Sequence, residues 1–79
     1  REHQVRLAEA EAVLSDHWGR TVEDPDARGE GRWITIGLDA QARLLIVVHA
    51  ERGGRTRVIS VRKASPNEGR FYDEKRIRF

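Results

Sequence analysis

The chain has 79 residues, no cysteine and a formal net charge of +2. That length allows one domain around one small core, and the absence of thiols excludes disulfide staples and thiolate metal sites. No apolar run approaches the ~20 residues of a membrane-spanning helix and no signal-peptide pattern is visible, which points to the cytoplasm.

The charge is unevenly spread. Residues 1–51 hold six Arg against ten Asp or Glu, whereas residues 52–79 hold nine Arg or Lys against three acids. The C-terminal third is therefore expected to face an anion, nucleic acid foremost. The plain alternative is a solvated basic surface.

Residues 1–5 are polar and carry no pattern. Leu7, Ala10 and Leu14, with Ala8, Ala12 and Val13, recur at helical spacing among strong helix formers. This predicts a helix over residues 5–15 whose apolar stripe lies on a sheet. His17, Trp18 and Gly19 end it, and His3 and His17 are read as surface residues. Arg20–Glu23 reads as a short edge strand, and residues 24–31 as a loop rich in Asp and Gly. Asp24, Asp26 and Glu30 offer oxygens but lack the spacing of a calcium loop, so no metal is expected.

Arg32–Leu38 is the next strand. Asp39, Ala40, Gln41 and Ala42 turn the chain into an apolar run, Leu44 to Val48, expected to be buried on both faces. Gly53 and Gly54 then predict a hairpin with residues 56–63. With the glycines as the turn, Arg52 lies opposite Arg55, Ala50 opposite Arg57, His49 opposite Val58, Val47 opposite Ser60, and Leu45 opposite Arg62. Opposed residues share a face. One face would hold Leu44, Ile46, Val48, Ala50, Ile59 and Val61 as core. The other would expose His49, Glu51, Thr56, Ser60 and Arg62 beside Leu45, Val47 and Val58.

Ser65, Pro66 and Glu68 make a capping box that opens a short helix through about residue 75. Phe71 is expected to pack down, leaving Arg70, Tyr72 and Lys75 free, and a basic tail follows. The fold class is α+β: an antiparallel sheet of three to four strands, an N-terminal helix on one face and a short C-terminal helix, forming a single domain over residues 1–79.

There is no phosphate-binding glycine loop before a helix, no nucleophile elbow and no metal-ligand array. His49, Arg57, Ser60, Arg62 and Tyr72 remain. RNA cleavage without a metal needs a base to take the 2′-OH proton, an acid for the leaving 5′ oxygen, and cationic donors for the charge on the phosphoryl oxygens. Histidine can serve as base or acid, and arginine clamps phosphate bidentately. Each residue also has a structural alternative. His49 could be a half-buried histidine bonded to a neighbour, Ser60 a small packing residue, Arg57 an edge cation, Tyr72 a packing aromatic, and Arg62 a partner of Glu51 or Glu68.

The runs Arg32-Trp33-Ile34-Thr35-Ile36-Gly37-Leu38, Val48-His49-Ala50-Glu51-Arg52 and Arg57-Val58-Ile59-Ser60-Val61-Arg62-Lys63-Ala64 resemble the BrnT toxins. The likeness is close over residues 32–73. Upstream, His3 and Val5 with Glu9 and Ala10 follow the family's pattern, which has a lysine, a glycine and a phenylalanine where Glu2, Gln4 and Leu7 stand. Gly69 separates Glu68 from Arg70, where the family pairs them, and costs a helix ~1 kcal/mol relative to alanine.

The resemblance implies a RelE-like fold with helices on one side of an antiparallel sheet, and a first strand and most of a first helix ahead of Arg1. It implies a metal-independent endoribonuclease that blocks translation, the toxin of a type II toxin–antitoxin pair. Its partner would be a ribbon-helix-helix antitoxin, BrnA, in a heterotetramer. His49, Arg52, Arg57, Ser60, Arg62 and Tyr72 fall on pattern positions. Arg57 and Arg62 are expected to clamp the scissile phosphate, His49 to act as base or acid, and Ser60 to position phosphate or ribose. Arg52, Lys63, Arg70 and Tyr72 are expected to hold flanking RNA, and Leu45 and Val47 to help hold the antitoxin. No cofactor is expected. The alternatives are a non-catalytic basic binding module, or a degenerate toxin that retains only antitoxin or nucleic-acid binding.

Overall fold

The structure is a computed structural model and describes residues 6–27 and 31–76. Its elements are α1 (Arg6–Leu14), β1 (Arg20–Glu23), β2 (Arg32–Leu38), β3 (Leu44–Arg52), β4 (Arg55–Lys63) and α2 (Pro66–Arg76). The strands form one antiparallel sheet in the order β1-β2-β3-β4. This is the α+β arrangement expected from the sequence. The expectations for residues 1–5, His3 among them, and for the tail at 77–79 fall outside the described residues.

Each face of β3 has its own cover. Ala10 and Val13 of α1 pack on Leu45 and Val47, with Leu14, Val58 and Val61 around them. Tyr72 of α2 packs on Ile36 and Ile46, with Ile34, Leu38, Leu44 and Ala64 around it. Successive residues of a strand point to opposite faces, so the two helices lie on opposite sides of the sheet. The one-sided arrangement implied by the resemblance is corrected here. A central strand that is apolar on both faces needs a layer on each.

The hairpin register departs from the expectation at one point. Arg52 faces Arg55, Ala50 faces Arg57 and His49 faces Val58, as predicted. The pairing then shifts between Val48 and His49, and Val48 faces Ser60, Val47 faces Val61, Ile46 faces Arg62 and Leu45 faces Lys63. Ile59 is the extra residue of a β-bulge. Val58 and Val61, three apart, both reach the α1 face, while Arg57, Ser60 and Arg62 take the other. Simple alternation would have put Arg62 on the α1 face and turned Val61 away from it. Ile59 is not core but 46% exposed.

The end of α1 is held close to the sheet at Gly37. A Cβ there would come within 3.0 Å of the Val13 carbonyl and 3.2 Å of Asp16 Cβ. Asp16 Oδ2 accepts the Leu38 N–H at 2.8 Å and the Tyr72 hydroxyl at 2.5 Å, joining the end of α1, the end of β2 and α2. Tyr72 is 1% exposed whereas Phe71 is 42% exposed. The expected orientation of α2 is thus reversed. The tyrosine can be buried because its hydroxyl finds an acceptor.

The β2–β3 turn is built on buried Asp39. Its carboxylate accepts the N–H groups of Gln41 and Arg43 and the Arg43 Nε, and Arg43 also reaches Glu9 of α1 at 2.6 Å. Burial alone would raise the Asp39 pKa. The hydrogen bonds from Arg43 and Gln41 outweigh it and hold the carboxyl below its usual range. Ala42 closes the turn at φ 63°, a left-handed conformation that costs an L-residue with a Cβ ~1 kcal/mol or more. Ala42→Gly should therefore raise stability by about 0.5–1 kcal/mol, seen as a higher urea midpoint at unchanged slope.

Candidate active site

The face covered in part by α2 can be read row by row from the strand register. Arg32, Ala50 and Arg57 form one row. Ile34, Val48 and Ser60 form the next, and Ile36, Ile46 and Arg62 the third. Arg52 and Arg55 oppose each other at the hairpin end of the same face. The bulge thus gathers Arg52, Arg57, Ser60 and Arg62 on one side of the sheet, and adds Arg32 and Arg55.

A cavity of about 270 Å³ opens among Arg32, Ala50, Arg52, Arg57 and Ile59. Arg32 Nε lies 3.2 Å from Asp24 Oδ2, close enough to pair but without hydrogen-bond geometry. Arg52, Arg55 and Arg57 are exposed, and their side chains have no hydrogen-bond or ion-pair partner among the described residues. Three guanidinium groups at a hairpin end, unpartnered among the described residues, repel one another and favour a bound anion.

Arg62 differs. Its Nη1 and Nη2 donate to Glu68 Oε1 and Oε2 at 3.0 and 2.8 Å. Glu68 also accepts the Ser65 N–H at 2.7 Å, completing the predicted capping box with the Glu68 N–H to Ser65 Oγ bond at 3.3 Å. The Arg62 fork, followed by the Ser65 N–H, holds the Glu68 carboxyl far below its ordinary 4.5, at about 2. The structural alternative for Arg62 is therefore realised: it pins α2 to β4.

His49 stands apart. Its partners across the sheet are Trp33 and Val58, on the α1 face, and the ring is only 6% exposed. Its Nε2 is 2.8 Å from Thr35 Oγ1, which is 2.7 Å from Thr21 Oγ1, while Nδ1 has no partner among the described residues. Burial pushes its pKa below the ordinary 6.5, with Glu51 pulling the other way. The expected cluster of His49, Ser60 and Arg62 on one exposed face is thereby corrected. The bulge puts the imidazole on the side opposite to Arg62, hydrogen-bonded within the sheet.

Three further expectations change. Tyr72 is core and not an RNA contact. Lys63 lies opposite Leu45, on the α1 side. Leu45 and Val47, expected to help hold the antitoxin, are 4% and 0% exposed beneath α1 and face no partner. Arg70 is exposed on α2, donating to Asn67 Oδ1. Arg32 was missed as a site residue because its face depends on the turn at Asp39, whose register the sequence left open. The spacing of Val58 and Val61 was the available sign of the bulge.

Fold and site together define a small α+β domain whose sheet gathers arginines on one face. A family model describing the ribonuclease toxin BrnT of type II toxin–antitoxin systems matches residues 1–68. The chain belongs to that family, and membership of a type II system implies an antitoxin partner. No protein among the curated ones matches the chain. No helix among the described residues is long and apolar enough to cross a membrane.

Because Glu68 holds its proton more weakly when folded than when unfolded, its contribution to stability is complete above about pH 4.5. It is lost as the pH falls toward 2. Urea unfolding between pH 6 and about pH 2.5 should show this loss, and Glu68→Gln should flatten it within that window.

Proposed function

We propose that the chain is a metal-independent endoribonuclease that acts in the cytoplasm, blocks translation by cutting RNA, and is neutralised by a ribbon-helix-helix antitoxin in a heterotetramer. One observation carries the reading: Arg52 and Arg57, without partners among the described residues, line an open cavity on the face that also carries Ser60 and Arg62. In this reading Arg57 and Arg62 hold the scissile phosphate, Ser60 between them contacts phosphate or ribose, and Arg52 and Arg70 follow the flanking backbone.

The chemistry is transesterification. The ribose 2′-OH attacks phosphorus, the 5′ oxygen of the next nucleotide leaves with a proton, and the products are a 2′,3′-cyclic phosphate and a 5′-OH. Guanidinium groups stabilise the charge on the phosphoryl oxygens as the transition state forms. A phosphate bound to Arg62 competes with Glu68 for the same fork. The released carboxylate regains basicity as its cation is drawn away, and so becomes an acceptor for the 2′-OH proton. His49 has no part in this step, since it lies on the other side of the sheet.

A second reading, a binding module without catalysis, draws on the same pair: with Arg62 engaged by Glu68, Arg52, Arg55 and Arg57, unpartnered among the described residues, are left to hold RNA and nothing more. Incubation with RNA in EDTA separates the two. Catalysis predicts cleavage to 2′,3′-cyclic ends, reduced about 100-fold or more by Arg57→Ala or Arg62→Ala, and changed less than about threefold by His49→Gln. Binding alone predicts intact RNA and a salt slope that falls by about one for each arginine removed.

A further inference from the structure

The α2 face is not fully covered. α2 seals its lower end through Tyr72, while a groove of about 260 Å³ stays open beside it, lined chiefly by Val22, Ile34, Ile36, Ile46 and Phe71. Val22 and Phe71 are 45% and 42% exposed, and Ile59, further along the same face, is 46% exposed. Together they form three of the four large exposed apolar side chains among the described residues. Concentrating them on one side of so small a domain marks an interaction surface.

The groove lies on the same face as the cationic cavity, one strand row along. Ile34 stands one two-residue step, about 7 Å, from Arg32 along β2, and Val48 the same step from Ala50 along β3. At the opposite end, the Arg20 guanidinium sits 4.2 Å from the centre of the Phe71 ring. The floor is sheet and one wall is a helix. In an α+β layer such a trough is the place of a second helix, laid beside the first. A nucleobase fits it less well. Its floor is aliphatic, Arg20 occupies a face of Phe71, and the Asn67 amide oxygen already accepts from Arg70.

We propose that this groove receives an amphipathic helix of the antitoxin, with apolar side chains between α2 and β1 and acidic side chains on Arg52, Arg55 and Arg57. The proposal rests on the reading of the chain as a toxin held by an antitoxin. It adds where the antitoxin sits and how it silences the toxin. Apolar burial in the groove anchors the helix, and its carboxylates take the guanidinium groups that RNA would otherwise occupy. Neutralisation is then direct competition for the arginine face, with no change of shape.

The test uses the whole chain and the purified antitoxin encoded with it. Val22→Glu and Phe71→Glu alter side chains that are already exposed, and a thermal melt confirms that each variant folds. Each should weaken antitoxin binding at least tenfold. Arg52→Ala should weaken it and lower its salt dependence. Without antitoxin, Val22→Glu should cut RNA at the unaltered rate, and with antitoxin it should escape inhibition. Unchanged antitoxin affinity in both groove variants overturns the proposal. So does loss of RNA binding by Val22→Glu with antitoxin affinity intact, which makes the groove a base pocket. If the unaltered chain cuts no RNA, the catalytic reading fails, and the affinity measurements still decide where the antitoxin sits.

Discussion

One extra residue in one strand determines what this surface can do. β4 mixes valines and arginines in an order that simple alternation cannot sort. Pairing without a bulge would place Val58, Ser60 and Arg62 together on one face, and the face holding Val58 is the one α1 covers. Val61 would then turn away from the α1 core, and Ser60 would take its place opposite Val47. Ile59 absorbs one position, so Val58 and Val61 reach the α1 core while Arg57, Ser60 and Arg62 stay at the wetter face. The bulge leaves one ladder position unpaired and gains a second valine for the α1 core. Bulges that re-aim side chains near functional sites are expected for this reason.

The second consequence concerns α2. It is short, carries Gly69 in its first turns, and would be marginal alone. Two ties hold it. The Arg62 fork reaches Glu68 in its first turn, where that carboxylate also caps the helix. The Tyr72 hydroxyl reaches Asp16 beyond α1. The register that frees Arg62 from the core thus also lets it anchor a helix. The same guanidinium is what ties β4 to the first turn of α2.

Much of the architecture was legible in the sequence because it rests on local signals. Helical spacing gave α1, the two glycines fixed the hairpin turn, the capping box placed the start of α2, and the apolar run of β3 announced burial on both faces. The capping box was read correctly down to its two hydrogen bonds. The site was less legible because faces depend on register, and register is not local. Four of the eight expected site residues share a surface, but only because a bulge the alternation rule omits moved Ser60 and Arg62 to it. Tyr72 and Phe71, adjacent on a polar helix, could not be ordered without knowing that Asp16 waits for a hydroxyl. His49 looked catalytic because it is titratable and simple alternation puts it on an exposed face with Ser60 and Arg62. Its buried bond to Thr35 needed the β2–β3 register to be seen.

The most direct measurement is the pattern of cross-strand nuclear Overhauser effects between β3 and β4. A bulge at Ile59 requires contacts between Val48 and Ser60, Val47 and Val61, and Ile46 and Arg62, with His49 still opposite Val58. Contacts between Val47 and Ser60 and between Leu45 and Arg62 would instead return the imidazole, the hydroxyl and the guanidinium to a common face, and the separation of charged face from core argued above would be wrong.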